Sequence, residues 1–391
     1  MQPNKENILL LSTADWDNPF WTNKQHVALE LSRLGHKVFY VDSIGLRSPS
    51  INKSDISRIF RRLLKGLKFP KKINENLWVW SPVVVPFQKY RAVRELNKWT
   101  LYFFSKLFLF LLGFKSPVLW SYNPMTLDIY PVWSGTRVVY HCVDDIKEQP
   151  GMPVSEIESA EKRLFKRANY VFVTSEKLYG VSKPINNNTF LFSNVADYEH
   201  FSQARNSMTV VPGDIARIKK PIIGFVGAIS SYKVDFDLLS FIAKARPDWS
   251  IVLIGKIGEG DPDTDVTSLE FDNIHFLGPR AYEKLPAYLK GFDVAMIPVV
   301  LNDYTHAMFP MKFFEYLAAG NRVISTDIDS LKSYGDYLYI ASSYDEFVSG
   351  IDEILSSKDD SDRENRLALA RQNTYKTRTE KMLAVMNGLS E

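Results

Sequence analysis

The opening residues alternate in a way that admits few folds. Asn7-Ile8-Leu9-Leu10-Leu11-Ser12 reads as a buried strand around the apolar run Ile8 to Leu11, and a polar loop follows over Thr13 to Thr22. Asn23 to Leu34 then carries Val27, Leu29, Leu31 and Leu34 at helical spacing. Gly35 stands where a left-handed cap stops a helix, and Lys37-Val38-Phe39-Tyr40-Val41-Asp42 is the next strand. Strand, loop, helix, glycine and strand form the repeating unit of a parallel sheet.

The unit recurs along the chain. Val118–Ser121, Arg137–His141 and Tyr170–Thr174 read as strands, with a helix ending at Arg167 that a Ser155/Glu158 capping box would open. A polar stretch around Ser202 to Lys220 reads as a connection. The pattern then restarts with strands at Ile222–Val226, Ser250–Ile254, Ile274–Leu277, Val294–Ile297 and Arg322–Ser325. Helices are expected at Asp237–Ala245, Glu283–Leu289 and Lys312–Ala319, the last stopped by Gly320. At 391 residues the chain has room for two or three domains, and two α/β halves fit the pattern better than one giant sheet.

Composition narrows the class. With 45% hydrophobic and 24% charged residues, the chain as a whole is neither disordered, collagen-like nor a coiled coil. Cys142 is the single cysteine, which excludes an intrachain disulfide and a Cys-based zinc cluster and fits a reducing cytoplasm. The net charge of +3 does not by itself imply nucleic acid. Met1 to Asn7 is polar and short, so no signal peptide is expected. No apolar run reaches the ~18 to 20 residues of a membrane-spanning helix.

In open parallel sheets ligands bind beyond the carboxyl ends of the strands, and two such domains place the site in the cleft between them. The informative residues therefore follow strands. In the first half these are Ser12 to Asn18, Asp144, Asp145 and Thr174-Ser175. In the second half they are Gly227 to Lys233, Gly255 to Gly260, Gly278 to Arg280 and Pro298 to Lys312. Phe309 to Gly320 is the most specific segment. Lys312 near a helix start adds a point charge to free backbone N–H groups and the dipole, which suits a diphosphate. Glu315, about one turn on, can accept both hydroxyls of a ribose. The bland alternative is a solvated Lys–Glu pair on an exposed helix face.

Lys312 to Thr326 resembles the nucleotide-binding helix of the GT-B glycosyltransferases, the large group that contains the family 4 enzymes. Gly224 to Lys233 is similar to their glycine loop, and Ser193 to Phe201 to their interdomain signature, with Val195 where glycine is usual. The resemblance covers nearly the whole chain. It implies an α/β protein of two Rossmann-like domains facing across a cleft. We place an acceptor domain at residues 1–201, a nucleotide-sugar domain at 202–370, and a C-terminal helix at 371–391 packing back on the first domain. Gly227, Lys233, Arg280, His306, Met311, Lys312 and Glu315 are the donor-side candidates.

One departure bears on stereochemistry. Retaining family 4 enzymes carry a second glutamate eight residues before the one matching Glu315, and Ala307 stands there. The region is closer to the family of the xanthan glucuronosyltransferase GumK, an inverting enzyme with a Met-Lys pair at the UDP, matched by Met311-Lys312. Its catalytic aspartate follows a strand in a context matched by Tyr140 to Asp144, and its N-terminal loop resembles Leu11 to Asp15. The resemblance thus implies Asp144 as the base. Inverting transfer independently needs a carboxylate to take the acceptor proton. Asp145 is the second candidate, and either aspartate could instead cap the loop through an Asx turn. Asp15, Asn18 and His141 are expected on the acceptor side. His141 and His306 could equally be hydrogen-bonded structural residues. No cluster has metal-ligand spacing, so no cofactor or metal is expected; helix dipole and lysine can stabilise a leaving diphosphate.

Ile56, Ile59, Phe60, Leu63, Leu64 and Leu67 follow helical spacing, with Arg58, Arg61, Arg62, Lys65 and Lys68 between them. A second stretch, Trp99 to Phe114, is rich in aromatic and leucine side chains. A basic face beside an apolar one suits an anionic membrane surface, although a core helix with a solvated side has the same pattern. Nothing resembles a nucleic-acid module, so no nucleic-acid partner is expected. The expectation is a cytoplasmic glycosyltransferase, peripheral on the inner face of the membrane. It would move a sugar from a UDP-linked donor to a lipid-linked or polysaccharide acceptor. A nucleotide-sugar epimerase of the same fold and a non-catalytic partner subunit are the alternatives.

Overall fold

The computed structural model describes residues 5–18, 21–44, 69–85, 90–357 and 360–388. The chain forms two compact units, one of Met1–Phe192 with Thr379–Glu391 and the other of Ser193–Arg378.

The first unit is built on an eight-stranded sheet. Its strands are β1 (Asn7–Leu11), β2 (Lys37–Val41), β3 (Lys71–Asn74), β4 (Leu77–Trp80), β5 (Val118–Ser121), β6 (Val138–Cys142), β7 (Tyr170–Val173) and β8 (Thr189–Leu191). They lie in the order β3-β4-β2-β1-β5-β6-β7-β8. All neighbours are parallel except β3 and β4. Ile8, Leu9, Leu10 and Leu11 are all buried, which is why β1 reads as a continuous apolar run rather than an alternating one. The chain fills one side of β1 and then crosses to β5 on the other. The strand order therefore reverses between β1 and β5. The β3–β4 hairpin escaped the periodic reading because its turn is a local device: Asn76 N donates to Asn74 Oδ1 at 2.9 Å.

The second unit has six strands, β9 (Ile222–Val226), β10 (Ser250–Ile254), β11 (Ile274–Phe276), β12 (Val294–Ile297), β13 (Val323–Thr326) and β14 (Tyr339–Ala341). Their order is β11-β10-β9-β12-β13-β14, all parallel, which is the dinucleotide-fold order with its reversal between β9 and β12. Ile223, Phe225, Ile251 and Leu253 pack one face of this sheet against Leu239, Ile242 and Phe347. Ile222, Val252 and Ile254 pack the other against Phe313, Phe314 and Leu317.

Three local expectations change. The division falls after Phe192 rather than after Phe201, because Ser193–Phe201 is bonded into the second unit: Asn194 Nδ2 donates to the Phe309 carbonyl at 2.6 Å. Residues 371–378 also stay with that unit, tied by Arg378, whose guanidinium donates to the Ser193 carbonyl at 3.1 Å. From Thr379 the tail groups with the first unit, where Tyr170 Oη donates to the Met386 carbonyl at 3.2 Å. Finally, the Ser155/Glu158 box does not form. The helix already begins at Val154, so Ser155 lies inside its first turn and donates to Glu156 Oε2 at 2.9 Å. Arg58, Arg61, Arg62, Lys65 and Lys68 lie outside the described residues. Among the described residues no helix is long and apolar enough to cross a membrane.

Candidate functional site

At the reversal point of the second unit, β9 is followed directly by Gly227, whose φ of +156° is a conformation side chains rarely adopt. A Cβ at Gly227 would stand 2.3 Å from Lys312 Cε and 2.7 Å from its Nζ. The lysine side chain thus lies across the space left by the missing one. Lys312 opens the helix Lys312–Ala319, which buries Phe313, Phe314, Tyr316 and Leu317 and ends at Gly320 with φ +87°. Tyr316 Oη accepts from Val226 N at 3.0 Å, pinning this helix to the end of β9. The ammonium sits 5.5 Å from the centre of the Phe225 ring.

Electrostatics show what else reaches the site. Burial lowers the Lys312 pKa; Glu315 opposes that, and the charge of Lys233 adds to it. Burial pushes the Glu315 carboxyl up to about 7, with Lys312 acting against the shift and Asp197 adding to it. Lys233 is itself placed by two aromatic rings, with its ammonium 5.1 Å from the centre of Tyr232 and 5.3 Å from that of Tyr304. Two cations from separate segments therefore converge at a helix N-terminus beside one carboxylate. That arrangement suits an anion carrying hydroxyl groups.

The other donor-side candidates have partners of their own. Met311 Sδ accepts from Tyr375 Oη at 3.3 Å. His306 Nδ1 is 3.0 Å from Asp329 Oδ2. Arg280 donates to Tyr288 Oη at 2.6 Å and to Asp214 Oδ2 at 2.7 Å. Ala307 is wholly buried.

In the first unit, Asp144 follows β6, and its Oδ2 lies 3.7 Å from Lys24 Nζ. Lys24 is buried in the first turn of the helix Asn23–Arg33, and its ammonium is 6.0 Å from the centre of Tyr122. Tyr122, just past β5, stacks on His141 at 4.8 Å. Segments following β1, β5 and β6 are thus linked through Lys24, which reaches both Asp144 and Tyr122. His141 is wholly buried, so its ring lies beneath this cluster and does not face an acceptor. Asp145 has different partners. Its Oδ2 is 3.9 Å from Lys147 Nζ, and its charge adds to the burial that pushes up Cys142 and Glu161. Behind the loop, Tyr140 Oη donates to Glu161 Oε1 at 2.5 Å. At the end of β1 the Asp15 carbonyl accepts from Asn18 N and from Gln25 Nε2, both at 3.1 Å. Nearby, burial raises the Asp42 carboxyl to about 6 while it accepts from Trp16 N at 2.8 Å.

Lys24, Tyr122, Tyr232 and Tyr304 were not foreseen. Lys24 did leave a signal, since a lysine in the first turn of a helix opposes the dipole and needs a reason to be there. The described residues hold no group of three or more His, Cys, Asp or Glu side chains arranged for a metal.

Residues 220–357 match the family described as glycosyl transferases group 1. A Bacillus subtilis (strain 168) protein whose name provisionally assigns it to teichuronic acid biosynthesis, the glycosyltransferase TuaH, is 27% identical over 273 residues, which span 65% of this chain and 67% of that one. Sucrose-phosphate synthase from Thermosynechococcus elongatus shares 15% identity and a TM-score of 0.63, over 98% of both chains. Anabaena Alr3699/HepE, solved with UDP and glucose, shares 15% identity and a TM-score of 0.65, over 98% of this chain and 100% of that one. The reversal-point lysine, its glycine and the matched segment lie in the same unit: the chain has the two-domain α/β fold of these solved transferases, and its second unit carries a segment similar to the group 1 glycosyl transferases.

Proposed function

We propose that the chain moves a hexosyl or glycuronosyl group from a UDP-linked donor to a lipid-linked or polysaccharide acceptor during synthesis of a bacterial surface polysaccharide. The observation that carries this reading is Lys312 lying across Gly227 with Glu315 one turn on. Lys312, Lys233 and the helix amides would hold the diphosphate, and Glu315 the ribose. The likeness to TuaH supports the polysaccharide context, and the UDP and UDP-glucose bound by HepE support the donor class.

In the transfer, Asp144 takes the proton of the acceptor hydroxyl. That oxygen bonds to the anomeric carbon as the bond to the diphosphate breaks, and the departing electron pair stays on the phosphate oxygen. Lys312 and Lys233 take up the developing charge without a metal. A single displacement inverts the anomeric centre. Buried, apolar Ala307 supports inversion, and so does the likeness of Met311-Lys312 to the GumK family. The enzyme would work in the cytoplasm against the anionic inner face of the membrane, attracted by the basic segment Arg58, Arg61, Arg62, Lys65 and Lys68.

A thermal-shift screen against UDP-, GDP- and dTDP-sugars tests this. A donor at about 100 times its dissociation constant stabilises by roughly 2.7 kcal/mol. Stabilisation by UDP-sugars that disappears in Lys312→Ala is the expected result; the same stabilisation in parent and variant would sink the assignment.

A further inference from the structure

The helix Arg91–Leu111 is apolar on both its inward and its outward face, which is unusual for a surface helix in water. Its buried residues are Leu101, Ser105, Phe108 and Leu109. Its outward face is apolar as well: Leu96 is 55% exposed, Trp99 49%, Phe103 63%, Leu107 38% and Phe110 80%. Steps of three and four residues keep these five side chains on one line along the helix. Trp133, 53% exposed, continues the patch and donates from Nε1 to Tyr102 Oη at 2.9 Å. Arg91, Lys98 and Lys106 are on the same helix, whose sole acidic residue is Glu95.

We infer that this helix lies flat in an anionic bilayer surface and buries its outward stripe below the phosphate level, with its cations at the headgroups. The inference rests on the membrane reading above but differs in mode, because a basic segment alone adsorbs by charge. Three features choose lipid over a protein partner. The helix carries four cations, Arg91, Arg94, Lys98 and Lys106, against the one carboxylate of Glu95, which complements anionic headgroups. Tryptophan and tyrosine border it, as they do at membrane interfaces. Its other face is committed to the protein core, so it can lie on a bilayer but not cross one. Charge adsorption is screened by salt, whereas insertion of apolar surface is not. The inferred mode is therefore attachment that survives molar salt.

The test uses the full chain with vesicles of equal parts phosphatidylglycerol and phosphatidylcholine. The parent should stay bound in molar salt. The triple variant Trp99→Gln, Phe103→Gln, Phe110→Gln alters exposed positions only, and its partitioning in molar salt should fall at least roughly 100-fold. An independent measurement uses Cys142, which is buried, so that Phe103→Cys adds the one accessible thiol. A fluorophore placed there should be quenched by brominated acyl chains. Binding by the triple variant equal to the parent's in molar salt overturns the inference, as does an unquenched fluorophore on bound protein. Parent binding that vanishes in molar salt leaves the membrane reading standing and overturns insertion. A parent that binds no vesicle at any salt overturns both. Loss of self-association in the triple variant, without vesicle binding by the parent, would assign the stripe to a second copy of the chain.

Discussion

The two candidate chemical regions are built on the same kind of strand-order reversal, yet they are assembled differently. In the second unit, Lys312 and Glu315 come from one helix, and the glycine that makes room for the lysine directly follows the neighbouring strand. In the first unit, Lys24 joins Asp144 and Tyr122, which lie on segments far apart in the chain. The donor region is thus a compact module carried by a short motif, and a single substitution in it should act locally. The acceptor region is a meeting of loops, where identity depends on what each loop brings. Each of the following measurements breaks or sharpens that contrast.

The largest effect is expected in the acceptor region. Asp144→Asn keeps size and shape but takes no proton at neutral pH, so turnover should fall by roughly 10² to 10⁴ with UDP affinity unchanged. Asp145→Asn is the control and should lose far less, since that carboxylate is paired with Lys147. Near-normal turnover in Asp144→Asn would remove the base and, with it, the argument for inversion.

Next comes Lys312→Ala, which should weaken UDP binding by roughly 1.5 to 3 kcal/mol, the worth of a charge-assisted bond, while leaving the first unit untouched. Calorimetric titration with UDP decides it; equal affinity would take Lys312 out of the donor site. Gly227→Ala is a subtler probe of the same contact. Its positive φ should cost stability of about 1–2 kcal/mol, read from denaturant melts. The new methyl group must also displace the lysine, so UDP affinity should fall, though by less than in Lys312→Ala. A variant that is destabilised but binds UDP normally would show that the lysine does not need this path.

The smallest effect is in pH. Burial holds the Glu315 carboxyl at about 7. The ionised form is the one that accepts ribose hydroxyls, so UDP affinity should fall as pH drops through that value, by less than about tenfold between about pH 8 and about pH 6. The sign for stability is opposite. The folded state holds this proton more tightly than the unfolded chain does, so the ligand-free fold should lose stability as pH rises from the ordinary carboxylate range to about 7. UDP's own terminal phosphate titrates nearby, so the informative quantity is the difference between the parent and Glu315→Gln. Identical pH profiles would place Glu315 outside the ribose site.

The legible parts share one property: their signal is local. Ile222–Val226, Ser250–Ile254 and Lys312–Ala319 stand where their apolar runs and stops put them, since strand length, helical spacing and a left-handed glycine cap are all settled within a dozen residues. The β3–β4 hairpin carries no such local signal: exposed Lys71 and Lys72 pair with the wholly apolar Leu77–Trp80, and its turn rests on one side-chain bond. The boundary falls after Phe192 and not after Phe201 because Asn194 is bonded to Phe309, a contact no local pattern records.

By itself, then, the sequence determined two runs of parallel strands and helices, a lysine at a helix start behind a strand followed by glycine, and an aspartate after β6. These follow from short-range sterics and periodic burial. Tertiary structure alone decided that Lys312 lies across Gly227, that Lys24 comes to Asp144, and that the charge of Asp145 reaches Glu161. It also decided which way the helix Arg91–Leu111 faces. Periodicity reports that a helix has apolar positions; only the packing of distant segments determines which of them the core covers and which remain outside.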